Sequence, residues 1–203
     1  ACHAERVPAL VVLNKQDLAE PFHRAWDRLQ PYRDMGETVL PLSLTGQLSD
    51  EGLNHLRQHL QSRTTLVLGP SGSGKSTLIN RLVPEAQAQT GEISKALNSG
   101  RHTTTTTTWY WLEANRSSAL IDSPGFQEFG LHHLEAMQLA HCMPDFARHL
   151  GKCKFYNCTH LHEPGCAIRS AVAPAAAEHP ISENRYRLYG ALFAELIDGQ
   201  NRY

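Results

Sequence analysis

Apolar residues fall in two kinds of pattern along this chain. Residues 7–13 (VPALVVL) form a continuous apolar run of buried-strand length. Residues 19–30 change to a helical period, with Pro21 early and Phe22, Trp26 and Leu29 on one face. Residues 39–44 (VLPLSL) predict another strand. Ser49 then predicts the cap of a helix whose buried stripe is Leu53, Leu56 and Leu60. A short buried strand is expected at 64–68 (TTLVL), and a helix at 76–83 that Pro84 stops. Residues 87–100 are polar, with too little periodicity for an element. Residues 108–113 and 118–121 predict a hairpin turning through 114–117. Beyond this the strand pattern stops: 132–142 predicts a helix, 144–150 continues irregularly or helically, and a last helix runs to Leu196. The expected architecture is an α/β domain over residues 1–131, followed by a small, mainly helical domain over 132–203.

Composition sets bounds on this picture. The 203 residues suit one ordinary domain with a small appendage, and 41% hydrophobic residues are enough to fill a core. No apolar run reaches the roughly 18 residues of a membrane span. Lys and Arg (19) nearly balance Asp and Glu (20), so any contact with nucleic acid has to come from a local patch. The sequence opens on Ala1 with no signal-peptide pattern, which suggests a processed or excised chain. Three of the five cysteines (Cys153, Cys158, Cys166) lie close together among histidines. That clustering argues for a metal in a reducing compartment rather than a disulfide framework.

The motifs carry the chemistry. Gly69-Pro70-Ser71-Gly72-Ser73-Gly74-Lys75-Ser76-Thr77 meets G-x-x-x-x-G-K-[ST] at every fixed position, between a predicted strand and a predicted helix. That arrangement aims several backbone N–H groups at one anion. Lys75 would reach the β- and γ-phosphates, and the Ser76 hydroxyl would ligate Mg²⁺. The 7–13 run ends in Asn14-Lys15-Gln16-Asp17, the N-K-x-D pattern of guanine sites. A carboxylate at Asp17 matches the N1–H and N2–H₂ donors of guanine, whereas adenine offers an acceptor at N1 and no 2-amino group. Lys15 would lie over the base, and Asn14 would tie this loop to the phosphate loop. Ser43-Leu44-Thr45 resembles the S-A-x loop that supports guanine through backbone N–H groups, with Leu44 replacing the usual small residue. Among the six threonines at 103–108, one hydroxyl would complete the Mg²⁺ shell, a role assigned to Thr104. Asp122-Ser123-Pro124-Gly125 matches D-x-x-G: Asp122 would hold Mg²⁺ through water, and the Gly125 N–H would sense the γ-phosphate. In ordinary GTPases the phosphate loop comes first and N-K-x-D late. Here N-K-x-D and the S-A-x-like loop lead, which is the order of a circularly permuted GTPase.

Cys153-x₄-Cys158-x-His160-x₅-Cys166 supplies three thiolates and an imidazole, a complete tetrahedral Zn²⁺ set. His162 is an alternative fourth ligand on spacing alone. Four protein ligands leave no open position, so such a metal is structural. Arg185-Tyr186-Arg187 with Tyr189 mixes basic and aromatic residues that could face RNA. A packed helix with solvated arginines is the default reading.

With these residues in hand, the chain closely resembles the ribosome small subunit-dependent GTPase A family. The match runs through Gly100-Arg101-His102-Thr103-Thr104, Asp122 to Phe126 and the cysteine segment. The resemblance implies a cytoplasmic GTPase, weak alone and stimulated by the small ribosomal subunit, that acts late in that subunit's maturation. The implied partners are GTP, GDP, the small subunit and its rRNA, with no membrane, and the chain is expected to be a monomer. The implied cofactors are Mg²⁺ with the nucleotide and one structural Zn²⁺ on Cys153, Cys158, His160 and Cys166. Family members carry an N-terminal OB-fold, and nothing before Val7 matches one. They also place a GTPase-domain strand ahead of the residues matching 1–6, so the 7–13 strand is expected to lack a neighbour on the side of the 64–68 strand. Phe126 stands where many GTPases carry a water-orienting Gln, which leaves His102 as the expected catalytic group, since similar proteins carry a histidine there.

Overall fold

The computed structural model describes residues 2, 5–45, 49–86, 107–123, 134–172 and 180–200. The chain divides into two compact units. One comprises Val11–Leu29 and Val39–Phe129; the other comprises Ala1–Leu10, Gln30–Thr38 and Gly130–Tyr203.

The first unit holds most of the strands. Strand β1 (Leu10–Leu13) begins later than the apolar run suggests. Pro8 has no N–H to give a ladder, and Val7 stays 55% exposed. Helix α1 (Ala19–Arg28) buries Phe22 and stacks it on Trp26, with ring centroids 5.8 Å apart, so the expected face is the packed one. A short helix α2 (Gln30–Asp34), which belongs to the second unit, follows in sequence, then β2 (Thr38–Pro41), which pairs with β1. The strand stops at Pro41, short of the expected Leu44. The chain then runs on as a buried segment in which Leu42, Ser43 and Leu44 are almost fully enclosed. Helix α3 (Ser49–Leu60) buries Leu53, Leu56 and Leu60 as its period requires.

Strand β3 (Thr64–Val67), helix α4 (Lys75–Leu82), and the hairpin of β4 (Thr108–Trp111) and β5 (Ala119–Asp122) complete this unit. Their sheet has the order β3-β5-β4, with β3 and β5 parallel and β4 and β5 antiparallel. The hairpin is fastened by Glu113, whose carboxylate accepts from the Ser118 N–H (2.9 Å) and hydroxyl (2.8 Å). Pairing sets Leu66 opposite Ile121 and Ile121 opposite Trp109, so one face carries the exposed Leu66, Trp109 and Trp111. Among the described residues no pairing joins β1 to β3.

The second unit has a core of Leu139, Met143, Phe146, Ile168, Ile181, Tyr189, Phe193 and Leu196 around Cys158 and Cys166. Helix α6 (Glu183–Gln200) supplies the largest share of it, and α5 (Ala167–Ala171) caps the cysteine segment. The helix expected at 132–142 is a 3₁₀ segment, Ala136–Cys142, within the described residues. Apolar residues spaced three apart suit either helix type, so periodicity could not separate them. No described helix is long and apolar enough to cross a membrane.

Candidate functional site

The phosphate-loop motif joins β3 to α4, as its spacing requires. Gly72 and Gly74 take left-handed conformations, with φ of 77° and 97°. At Gly74 a Cβ would overlap the Asn14 amide and press on Leu44, so only glycine fits. The turn is closed by the Ser73 N–H donating to the Pro70 carbonyl (3.1 Å) and the Leu78 N–H to the Gly74 carbonyl (2.8 Å). Ser76 and Thr77 lie in the first turn of α4. Val67 pairs with Asp122, so the strand ends leading into the phosphate loop and into D-x-x-G are neighbours. Lys75 Nζ forms an ion pair with the buried Asp122 carboxylate and donates to the Ser123 carbonyl (3.2 Å).

The two guanine-motif loops meet at the same place. Asn14 Nδ2 donates to the Ser73 carbonyl (3.0 Å), which ties the loop after β1 to the phosphate loop across 59 residues of sequence. Lys15 is exposed in a left-handed conformation (φ 70°), and the Gln16 N–H donates to the Leu42 carbonyl (3.0 Å). The fully buried Ser43 hydroxyl lies 2.9 Å from Asp17 Oδ1 and 2.6 Å from the Thr45 carbonyl, and its one hydrogen can serve either acceptor. Asp17 itself is exposed. Ser43 was expected to contribute backbone groups; its side chain also steadies the carboxylate that would read the base. His102, Thr104 and Gly125 lie outside the described residues.

The cysteine segment forms a closed cluster. The candidate ligand atoms of Cys153, Cys158, His160 and Cys166 all lie within 4.8 Å of one another. His160 Nδ1 is 3.5 Å from the sulfurs of Cys153 and Cys166, and those sulfurs are 3.9 Å apart. A tetrahedral metal with bonds of about 2.3 Å to sulfur and 2.0 Å to nitrogen needs edges of about 3.8 and 3.6 Å, so the donor set fits a metal of that size. His162 is the exposed neighbour and does not belong to the cluster. Burial holds the His160 imidazole in its neutral form, the form that ligates, and pushes the Cys158 thiol up to about 12, so a metal must displace its proton. The backbone N–H groups of Ala167 and Arg169 donate to the Cys153 and Cys166 sulfurs (3.4 Å each).

Three supports of this centre were not visible in the motif. The Glu163 carboxylate accepts from the Thr159 N–H (2.8 Å), the Thr159 hydroxyl (2.6 Å) and the His162 N–H (3.3 Å). Burial acts against its charge, but these bonds hold it well below the usual carboxylate range. Tyr186 and Tyr189, one turn apart on α6, donate to the carbonyls of His160 (2.7 Å) and Thr159 (2.8 Å), fixing the left-handed His160. Both tyrosines therefore point inward. Arg185 also departs from the expected solvated arginine: it is buried and forms a bidentate pair with Asp145 (2.7 and 3.1 Å). Its guanidinium lies 4.9 Å from the ring centroid of Tyr32 in α2. Burial opposes the Arg185 charge, but the Asp145 carboxylate outweighs it.

Comparison with known proteins agrees with this geometry. The family model described as RsgA GTPase matches residues 1–132. A curated relative from Variovorax paradoxus (strain S110), named small ribosomal subunit biogenesis GTPase RsgA, is 60% identical over the whole chain. One of the same name from Paraburkholderia phymatum is 51% identical over 96% of it. The chain spans 63% and 60% of those relatives' lengths. Among solved structures, YjeQ from Thermotoga maritima superposes with a TM-score of 0.70 at 26% identity, covering 97% of this chain and 62% of that one. YloQ, described as a circularly permuted GTPase, gives 0.65 at 25% identity, covering 93% and 57%. The fold is that of a circularly permuted α/β GTPase with a Cys/His cluster near its C-terminus, and the chain belongs to the RsgA GTPase family.

Proposed function

We propose that this chain binds and hydrolyses GTP, and that the whole protein does so on the small ribosomal subunit late in its maturation. The observation that supports the reading is the meeting of Asn14 with Ser73 and of Ser43 with Asp17, which ties the N-K-x-D loop to residues 69–77 and to the segment after β2. Relatives named for small-subunit biogenesis support the ribosomal part.

In this reading the backbone of residues 69–77 cradles the phosphates, Asp17 accepts from guanine N1–H and N2–H₂, and Lys15 covers the base. Lys75 exchanges the Asp122 carboxylate for phosphate oxygens when nucleotide enters, which frees Asp122 to serve the Mg²⁺ shell with Ser76 and Thr104. Mg²⁺, when bound there, would supply charge neutralisation for the phosphates. The Gly125 N–H contacts the γ-phosphate, and His102 orients the attacking water or accepts its proton near neutral pH. The domain reading is a GTPase domain over 1–131 and a zinc domain over 132–203, supported by a family match that ends at residue 132. We assign the cluster metal as Zn²⁺ on its donor set. The protein is taken as a cytoplasmic monomer.

Two measurements test the proposal. Titration with GDP and ADP should show a clear preference for GDP, and comparable affinities would point to an ATP-using enzyme on the same loop. Single-turnover GTP hydrolysis should accelerate when purified small subunits are added, in a form that includes any native upstream domain. No hydrolysis in either condition would leave only a GTP-dependent scaffold.

A further inference from the structure

We infer that the loop between the first two metal ligands, residues 152–157, is a stacking platform for an unpaired base of single-stranded RNA; this rests on the ribosomal reading proposed above. Of the basic and aromatic residues on the last helix that could face RNA, the fold buries Arg185 and Tyr189. An exposed basic and aromatic set lies on this loop. Tyr156 is 102% exposed and its neighbour Phe155 41%; the exposed Lys154 directly precedes them, and the exposed Lys152 stands two residues earlier. Lys154 Nζ stands 5.5 Å from the Phe155 ring centroid. A single exposed aromatic is ordinary. Two adjacent ones on a loop braced at both ends are not. Cys153 and Cys158 anchor the loop in the metal cluster, and the Lys154 N–H donates to the Gly165 carbonyl (3.0 Å).

Charge selects the partner. Residues 148–169 carry Arg148, Lys152, Lys154 and Arg169 against one carboxylate, Glu163, in a chain whose formal net charge is −1. That carboxylate is turned inward, where it accepts from the Thr159 and His162 N–H groups. A protein-docking patch would need contiguous aliphatic surface around the rings, and here their chain neighbours are Lys154 and Asn157. Flat rings among lysines, held on a rigid support, suit a base face and its flanking phosphates.

The test uses the full, metal-loaded chain with labelled RNA dodecamers of uridylate and adenylate, a duplex of the same length, and fluorescence anisotropy at several salt concentrations. Single strands should bind more tightly than the duplex. Tyr156→Ala should weaken single-strand binding about tenfold, and Tyr156→Phe by less than about twofold. Lys154→Ala should lower the salt slope by about 0.7. Because Tyr156 makes no packing contribution, Tyr156→Ala should leave GDP affinity and the unfolding temperature unchanged. Unchanged RNA affinity in Tyr156→Ala, or equal affinity for duplex and single strand, overturns the platform. So does a photocrosslinker at position 156 that reaches a ribosomal protein and no RNA on assembled subunits. GDP binding in the same samples separates the two readings: a chain that binds GDP but fails these tests loses only the platform, and one that binds no guanine nucleotide loses the GTPase reading.

Discussion

Asp17 can discriminate between purines only if its carboxylate is held still, and the buried Ser43 hydroxyl is the group placed to hold it. Asp17→Asn turns one acceptor into a donor. It should weaken GTP binding by about 2 kcal/mol and favour xanthosine triphosphate, whose 2-oxo group needs a donor. Ser43→Ala removes only the orienting bond and should cost about 1 kcal/mol of GDP affinity without improving ADP. Isothermal titration with the four nucleotides checks both, and identical preferences in wild type and Asp17→Asn would end the guanine assignment. Hydrolysis raises a separate question, because Phe126 cannot hydrogen-bond a water. His102→Ala should therefore keep GTP affinity and small-subunit binding while losing most subunit-stimulated turnover. A mutant that hydrolyses GTP at the stimulated wild-type rate would remove His102 from the mechanism.

The turn between β3 and α4 shows how backbone conformation sets a site. Gly74→Ala would strain a residue at φ 97° and drive its methyl group into the Asn14 amide, breaking the link between the guanine loop and the phosphate loop. The strain alone is about 1–2 kcal/mol. GDP affinity should fall by tenfold or more while the chain remains folded by circular dichroism; retained affinity would mean that the Asn14–Ser73 contact is dispensable. This loop was legible in the sequence because fixed spacing between unusual residue types encodes it. The same holds for the N-K-x-D loop, the D-x-x-G aspartate and the three cluster cysteines; spacing left His160 and His162 open, and only the fold brings His160 to the sulfurs and leaves His162 exposed. Element type was legible in α3, where Leu53, Leu56 and Leu60 form one buried stripe, but not at Ala136–Cys142, whose apolar spacing suits an α- or a 3₁₀ helix alike. Sequence said least where period carries no signal. Helix α6 exposes Leu188 and Ile197 and buries Arg185, so its buried face cannot be read from polarity. Glu163 was silent because its partners are backbone N–H groups and a hydroxyl, not a motif.

The second compact unit combines the C-terminal region with two stretches from the start of the chain, and its core includes the sulfurs of Cys158 and Cys166. A metal in so small a core supplies much of its folding free energy. Without it, burial holds the Cys158 thiol protonated. Cys158→Ser, or prolonged chelation, should release one equivalent of zinc and lower the unfolding temperature of this unit first, as read by calorimetry and tyrosine near-ultraviolet dichroism. The consequence need not stop there. Tyr32 lies under the buried Arg185 within the same unit, and in sequence it stands between Asp17 and Ser43. Loosening Arg185 and its Asp145 partner would therefore free the chain that connects the two guanine loops. The metal-free protein should lose about 1 kcal/mol of GDP affinity, near the low end of measured coupling energies. Tyr32→Ala in the metal-loaded protein should reproduce part of that loss, because it cuts the same connection while leaving the cluster intact. If metal analysis shows complete zinc loss and GDP affinity is unchanged, the two units fold and bind independently, and the Tyr32–Arg185 contact serves stability alone.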